Sequence, residues 1–159
     1  MSEHPAIVYE SDSVDATVRF GRCLGQRAEP GTVIGLIGPL GTGKTQLVKG
    51  IAAGLEVEDA RRVCSPTFII IREHAGRLRL YHVDAYRVSS NDLLAIGFDE
   101  ICKAGGLVAV EWADRVADIL PEDSLTITIE PVGPEGRRLS CRAAGPTSHR
   151  LLADLGGPP

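Results

Sequence analysis

The octapeptide Gly38-Pro39-Leu40-Gly41-Thr42-Gly43-Lys44-Thr45 constrains this chain more than any other stretch. It fits G-x-x-x-x-G-K-[ST], a loop that must follow a buried strand and open a helix if it is to hold a phosphate. Its glycines permit a tight curl that turns several backbone N–H groups toward one point. A phosphate oxygen is favoured there by the dipole of the following helix. Lys44 supplies a mobile positive charge for β- and γ-phosphate oxygens, and the Thr45 hydroxyl is placed to hold Mg2+. Both flanks agree with the motif. Residues 32–37 are nearly all apolar, as a strand covered on both faces must be. Leu47, Ile51 and Leu55, with Val48 and Ala52 beside them, form a helical stripe after the loop.

This strand–loop–helix core predicts a P-loop NTPase-like α/β fold, a three-layer α/β/α arrangement with a mostly parallel central sheet and antiparallel hairpins. The length of 159 residues and the 43% hydrophobic content suit one globular unit with its own core. We expect residues 1–144 to form that single domain and residues 145–159 a C-terminal helix or tail. A net charge of −4 leaves no electrostatic footprint for wrapping nucleic acid, so strong RNA binding by this chain alone is not expected. No apolar run approaches the roughly 18 residues that span a bilayer, and the N-terminus lacks the basic and apolar regions of a signal peptide. Cys23, Cys64, Cys102 and Cys141 are scattered, without a C-x-x-C pair. Reduced, mostly buried thiols in a cytoplasmic protein are the expectation.

Taken in order, a strand is expected near residues 6–9. A helix over residues 14–26 follows, capped near Ser11-Asp12-Ser13 and turning Val14, Val18 and Leu24 inward. Gly54 reads as the C-cap of the helix after the loop. Residues 68–72 and 78–84 read as a hairpin around His74-Ala75-Gly76. Short helices follow at Ser89 and over residues 98–104, then a buried strand over residues 107–110. Residues 124–130 and 138–142 form a second hairpin turning at Gly133-Pro134-Glu135-Gly136, and a weak helix is expected over residues 148–155.

A phosphate loop needs acidic help, because Mg2+ on a nucleotide takes one or two carboxylates and keeps waters. In α/β sheets such acids stand at the carboxyl ends of strands. Glu111 and Asp84 both end predicted strands, although a solvated strand-end acid would look the same. Trp112, the only tryptophan, follows Glu111 and reads either as core packing or as part of the site. Ser65-Pro66-Thr67 is either a phosphate-sensing switch or a plain turn. His82, inside a strand, reads as a satisfied structural residue and not as a base.

The loop, Ser65-Pro66-Thr67-Phe68, Tyr81-His82-Val83-Asp84-Ala85-Tyr86-Arg87, Gly97-Phe98-Asp99-Glu100 and Val110-Glu111-Trp112-Ala113 occur together in this order. In this the chain resembles the small bacterial P-loop ATPase of tRNA threonylcarbamoyladenosine biosynthesis, the TsaE/YjeE family, over about residues 11–138. The resemblance implies that Leu40, Gly41, Thr42, Gly43, Lys44 and Thr45 hold the phosphates of ATP or ADP. It implies that Thr45 and Glu111 coordinate Mg2+, and that Asp84 supports the metal or the attacking water. Lys44, Asp84 and Glu111 would be the catalytic set. Trp112 would shape the nucleotide site, Arg137 would lie near the base, and the backbone at Ser13 and Val14 would close the other side.

The chain departs from the family pattern at Pro39, where an acid is frequent, and at Gln46, where a second hydroxyl is frequent. The resemblance further implies a slow ATPase acting in formation of t6A at position 37 of ANN-decoding tRNAs. It would act by driving or resetting a partner heterodimer of two related ASKHA-fold proteins, one of them the transferase, with tRNA contacted through the complex. The competing readings are a small-molecule kinase, which would need an acceptor pocket and an arginine-rich lid, and a nucleotide-dependent switch. No N-K-x-D is present to read guanine.

Overall fold

The strand that leads into the phosphate loop lies at the centre of a seven-stranded sheet. In this computed structural model, which describes residues 6–39, 41–63 and 70–155, that strand is β2 (Thr32–Ile37), and all its residues but the last are buried. The other strands are β1 (Ala6–Ser11), β3 (Ile71–His74), β4 (Leu80–Asp84), β5 (Leu107–Glu111), β6 (Leu125–Val132) and β7 (Gly136–Ala143). Their spatial order is β1-β7-β6-β2-β5-β4-β3. The inner pairs β6–β2, β2–β5 and β5–β4 are parallel, and antiparallel pairs form both margins.

Alternation along β2 builds two cores. Ile34 and Leu36 face one layer with Phe20, Leu47, Ile51 and Leu107, under helices α1 (Val14–Arg27), α2 (Lys44–Gly54) and α5 (Pro146–Leu155). Val33 faces the other layer with Val108, Val110, Leu93, Phe98 and Val116. There α3 (Ser90–Ala95), α4 (Phe98–Cys102) and a 3-10 segment (Ala113–Ile119) cover the sheet. The expected three-layer α/β/α fold is therefore observed.

Helix α1 starts where its cap predicts, with Ser13 Oγ accepting from the Ala16 amide at 3.1 Å. Its inward face differs from the expectation. Leu24 is buried, but Val14 is 55% exposed and Val18 only half-buried; the buried face is Ala16, Thr17, Phe20, Gly21, Leu24 and Gly25. The reason is close approach to α2. A Cβ on Gly25 would lie 2.2 Å from the Ile51 carbonyl oxygen, and a Cβ on Gly50 would lie 2.2 Å from that of Val18. Gly54 belongs to the same contact and is the last helical residue, not the cap. Leu55 caps α2, and the chain reverses at Glu56 with φ 60°.

The first hairpin is shifted: β3 runs through His74, and Phe68 and Ile69 lie outside the described residues. Ser89 and Asp92 form a reciprocal capping box on α3. The C-terminal helix is longer than expected and buries Leu151 and Leu152. Its first amides are held by Asp123, which accepts from Thr147 at 2.8 Å and Ser148 at 3.0 Å. Cys23 and Cys102 are half-buried free thiols and only Cys141 of the described cysteines is buried, so the expectation of mostly buried thiols is too strong. Burial pushes the Cys141 thiol up to about 12, far from thiolate chemistry. Among the described residues no helix is long and apolar enough to cross a membrane.

Candidate nucleotide-binding site

The loop between β2 and α2 takes the backbone path that its glycines permit. Gly41 and Gly43 have φ of 80° and 99°, and a Cβ at either would meet nothing within 4 Å. Conformation, not crowding, requires glycine there. Gly43 caps α2, and among the described residues no side-chain oxygen caps its first-turn amides. Those donors point from the positive end of an 11-residue helix, an arrangement suited to an anion. Thr42 Oγ1 donates to the Pro39 carbonyl at 2.8 Å, which ties the loop to itself. Leu40 lies outside the described residues, as do Ser65, Pro66 and Thr67.

Lys44 is 5% exposed and its Nζ donates to the carbonyl oxygens of Gly38 at 2.6 Å and Pro39 at 3.0 Å. Burial pushes the ammonium below its ordinary value, and the charges of Glu111, Asp114 and Asp84 counter that push. These acids arrive on strand ends. Leu36 of β2 is in register with Glu111 of β5, and Glu111 is in register with Asp84 of β4. In-register partners share a face, so both carboxylates stand on the α2 side of the sheet.

Glu111 is 3% exposed, and its Oε1 accepts from the Thr45 hydroxyl at 3.2 Å across 66 positions of sequence. Its other oxygen, Oε2, lies 2.5 Å from His82 Nε2. Asp84 is half-buried and its Oδ1 accepts from the Tyr86 amide at 2.9 Å.

Trp112 has φ 60° and ψ 40°, a left-handed backbone that a tryptophan rarely adopts. Its ring packs partly on the second core and meets Tyr86 at a centroid distance of 4.9 Å. The Arg115 guanidinium lies over both rings, 5.0 Å from Tyr86 and 5.6 Å from Trp112.

On the far side of the loop, Val14, Thr17, Gln46, Glu135 and Arg137 line a cleft of about 160 Å³ against Gly41, Thr42 and Gly43. Arg137 Nε donates to the Thr42 carbonyl at 2.9 Å, so the β6–β7 hairpin is tied to the loop. Ser13 does not line this cleft; its side chain is committed to capping α1.

This geometry can be set beside known proteins. The sequence profile of the threonylcarbamoyl adenosine biosynthesis protein TsaE matches residues 11–139. The chain belongs to the TsaE family. It is 39% identical over 131 residues to the tRNA threonylcarbamoyladenosine biosynthesis protein TsaE of Treponema pallidum, covering 82% of this chain and 96% of the relative. It is 42% identical over 131 residues to the Bacillus subtilis protein of the same name, covering 80% of each. The crystal structure of Bacillus subtilis YdiB superimposes with a TM-score of 0.83 at 30% identity, covering 98% of this chain and 97% of that one. The resemblance read from the motif blocks is thereby established, and so is the fold.

The donor set in this TsaE-family chain suits magnesium. A buried carboxylate and a hydroxyl are hard oxygen ligands. Among the described residues, no three His, Cys, Asp or Glu side chains converge tightly enough to hold a metal alone. An ion here would be completed by waters and phosphate oxygens, as Mg2+ prefers. The structure brings together Lys44, Thr45, Glu111, Trp112 and, on the adjoining strand end, Asp84. Val14 and Arg137 stand together on the other side.

Motif reading missed Gln46 and Glu135 as cleft residues, Arg115 and Tyr86 beside Trp112, and the bond from His82 to Glu111. Only the spacing of His82 two residues before Asp84 on one strand face could have pointed to that bond.

Proposed function

We propose that this TsaE-family chain binds ATP and ADP with Mg2+ and hydrolyses ATP as the nucleotide-driven component in formation of t6A at position 37 of ANN-decoding tRNAs. The observation that carries the reading is the Thr45–Glu111 contact of 3.2 Å at the start of a helix whose first amides have no side-chain cap among the described residues. Those amides and Lys44 take the phosphate oxygens. Thr45 and Glu111 hold Mg2+, and Asp84 supports it or orients the attacking water. When bound there, Mg2+ would neutralise the negative charge that develops on the phosphate oxygens as the γ-phosphoryl group is transferred to water. The cleft at Val14, Thr17, Glu135 and Arg137 accommodates the rest of the nucleotide.

On this reading the chain does not transfer the threonylcarbamoyl group. Its ATP cycle drives or resets the heterodimer of two related ASKHA-fold proteins that includes the transferase. The net charge of −4 agrees with tRNA being held by those partners. Turnover by the isolated chain is slow. Arg137, whose guanidinium reaches the loop, is committed to the Thr42 carbonyl, and partners supply or order the charge that the γ-phosphate needs. Calorimetric titration with Mg2+ present tests the nucleotide assignment. ATP and ADP are expected to bind more tightly than GTP, because the guanine-reading motif is missing; preference for GTP would contradict the reading.

A further inference from the structure

The two carboxylate oxygens of Glu111 have different nearest neighbours. Oε1 lies 3.2 Å from the Thr45 hydroxyl, which is 3.5 Å from Oε2. Oε2 lies 2.5 Å from His82 Nε2. His82 sits in the middle of β4, fully buried, on the same strand face as Leu80 and Asp84. Its other nitrogen, Nδ1, is buried and has no hydrogen-bond partner among the described residues.

A side chain present only to fill space would be apolar. A buried imidazole with one unpaired nitrogen costs free energy that leucine would not. Such a residue is explained when its other nitrogen does what a hydrocarbon cannot. A carboxylate that holds Mg2+ can only accept, so on the Mg2+ reading Nε2 carries the hydrogen toward Oε2. That bond fixes the rotation of the carboxylate about its own axis and leaves Oε1 facing Thr45.

We infer that His82 is a positioning residue: by donating from Nε2 to Oε2 it holds Glu111 in one rotamer and presents Oε1 beside the Thr45 hydroxyl, so that both oxygen ligands are set for Mg2+ in advance. This rests on the Mg2+–nucleotide reading above and adds to it a residue that touches neither nucleotide nor metal. Partners that orient ligating groups in this way typically change metal affinity by roughly 10–100-fold when removed.

The test is calorimetric titration of the full chain with ADP, in Mg2+ and in EDTA, for the parent, His82→Leu, His82→Gln, Glu111→Gln and the double variant His82→Leu/Glu111→Gln. The readout is the ratio of the two ADP affinities, which a purely structural role would not move selectively. His82→Leu is expected to lower that ratio by roughly 10–100-fold while ADP affinity in EDTA stays at the parent value. His82→Gln, whose amide offers an N–H at similar reach, is expected to keep most of it. In the Glu111→Gln background the leucine substitution should lower the ratio no further, since both changes act on one contact. If the leucine variant fails to fold, His82→Asn, whose shorter amide cannot reach Oε2, takes its place in the same comparison. An unchanged ratio in the donor-less variant overturns the inference, and so does an equal loss in His82→Gln. A parent that binds ADP equally in Mg2+ and EDTA removes the metal reading itself, and the inference falls with it. That result is distinguishable because no variant is needed to see it.

Discussion

The Lys44 ammonium stands 4.1 Å from the centre of the Trp112 ring while donating to the Gly38 and Pro39 carbonyls. A cation this near a ring face is held by the ring's quadrupole. The one cation of the phosphate-loop motif and the chain's only tryptophan therefore report on each other.

Nucleotide that recruits Lys44 must change the surroundings of the indole. Mg-ATP or Mg-ADP should shift or quench Trp112 emission saturably, and Lys44→Ala should blunt the response. The same substitution should weaken nucleotide binding by roughly 1.5–3 kcal/mol, the range for a charge-assisted phosphate contact. A flat emission titration at concentrations that calorimetry shows to be saturating would return Trp112 to a packing role.

Glu111 and Asp84 can be separated by choice of substitution. Glu111→Ala should abolish most Mg2+-dependent hydrolysis and weaken the Mg2+ dependence of nucleotide binding. Asp84→Asn can keep the 2.9 Å bond from the Tyr86 amide yet removes the charge. It should therefore impair hydrolysis with the melting temperature little changed. Asp84→Ala should impair hydrolysis and also loosen the turn. Parent-like steady-state turnover in Asp84→Asn would show that its charge has no part in the reaction.

The contact between α1 and α2 should reject even one methyl group. Gly25→Ala places a Cβ 2.2 Å from the Ile51 carbonyl oxygen, so the helices must part. Overpacking of this kind costs about 1–3 kcal/mol, measurable by urea denaturation. Ala in place of the exposed neighbour Gln26 should be near neutral. Equal midpoints for the two variants would contradict the packing described here.

Asp123 should link the docking of α5 to pH. Desolvation pushes its carboxyl up, but hydrogen bonds from Ser148 and Thr147 outweigh that and hold it below its ordinary value. A depressed folded-state value means stability that is present above the unfolded carboxylate range and lost as pH falls through the folded value. Asp123→Ala should cost about 1 kcal/mol at neutral pH, as loss of a cap does. The gap from the parent should narrow in acid below about pH 4. A gap constant from pH 7 to pH 3 would contradict the linkage.

What could be read from the sequence follows the range of the interactions involved. The phosphate loop was legible because its demands on φ at Gly41 and Gly43 are local. Glu111 and Asp84 were legible as strand ends, because apolar runs stop there. The inward face of α1 is legible only at Leu24: its close approach to α2 runs through Gly21 and Gly25, which no apolar periodicity marks, and Val14 stands exposed outside it. The bond from His82 to Glu111 depends on the register of β4 on β5. The cleft wall at Glu135 and Arg137 depends on how a hairpin turn folds over the loop. The first leaves only the two-residue spacing of His82 and Asp84 on β4, and the second leaves no local pattern. The Asp123 cap of α5 was missed for the same reason, since it joins a turn before β6 to a helix after β7.

The central claim is that ATP turnover by this chain sustains t6A formation by its partners. A reconstituted reaction with the partner heterodimer, tRNA and excess substrates, followed over many transferase turnovers, tests it most directly. The account predicts that t6A keeps accumulating with the parent chain and stalls after the first cycles when the chain is omitted or replaced by Lys44→Ala. Equal accumulation over many turnovers without the chain would contradict it.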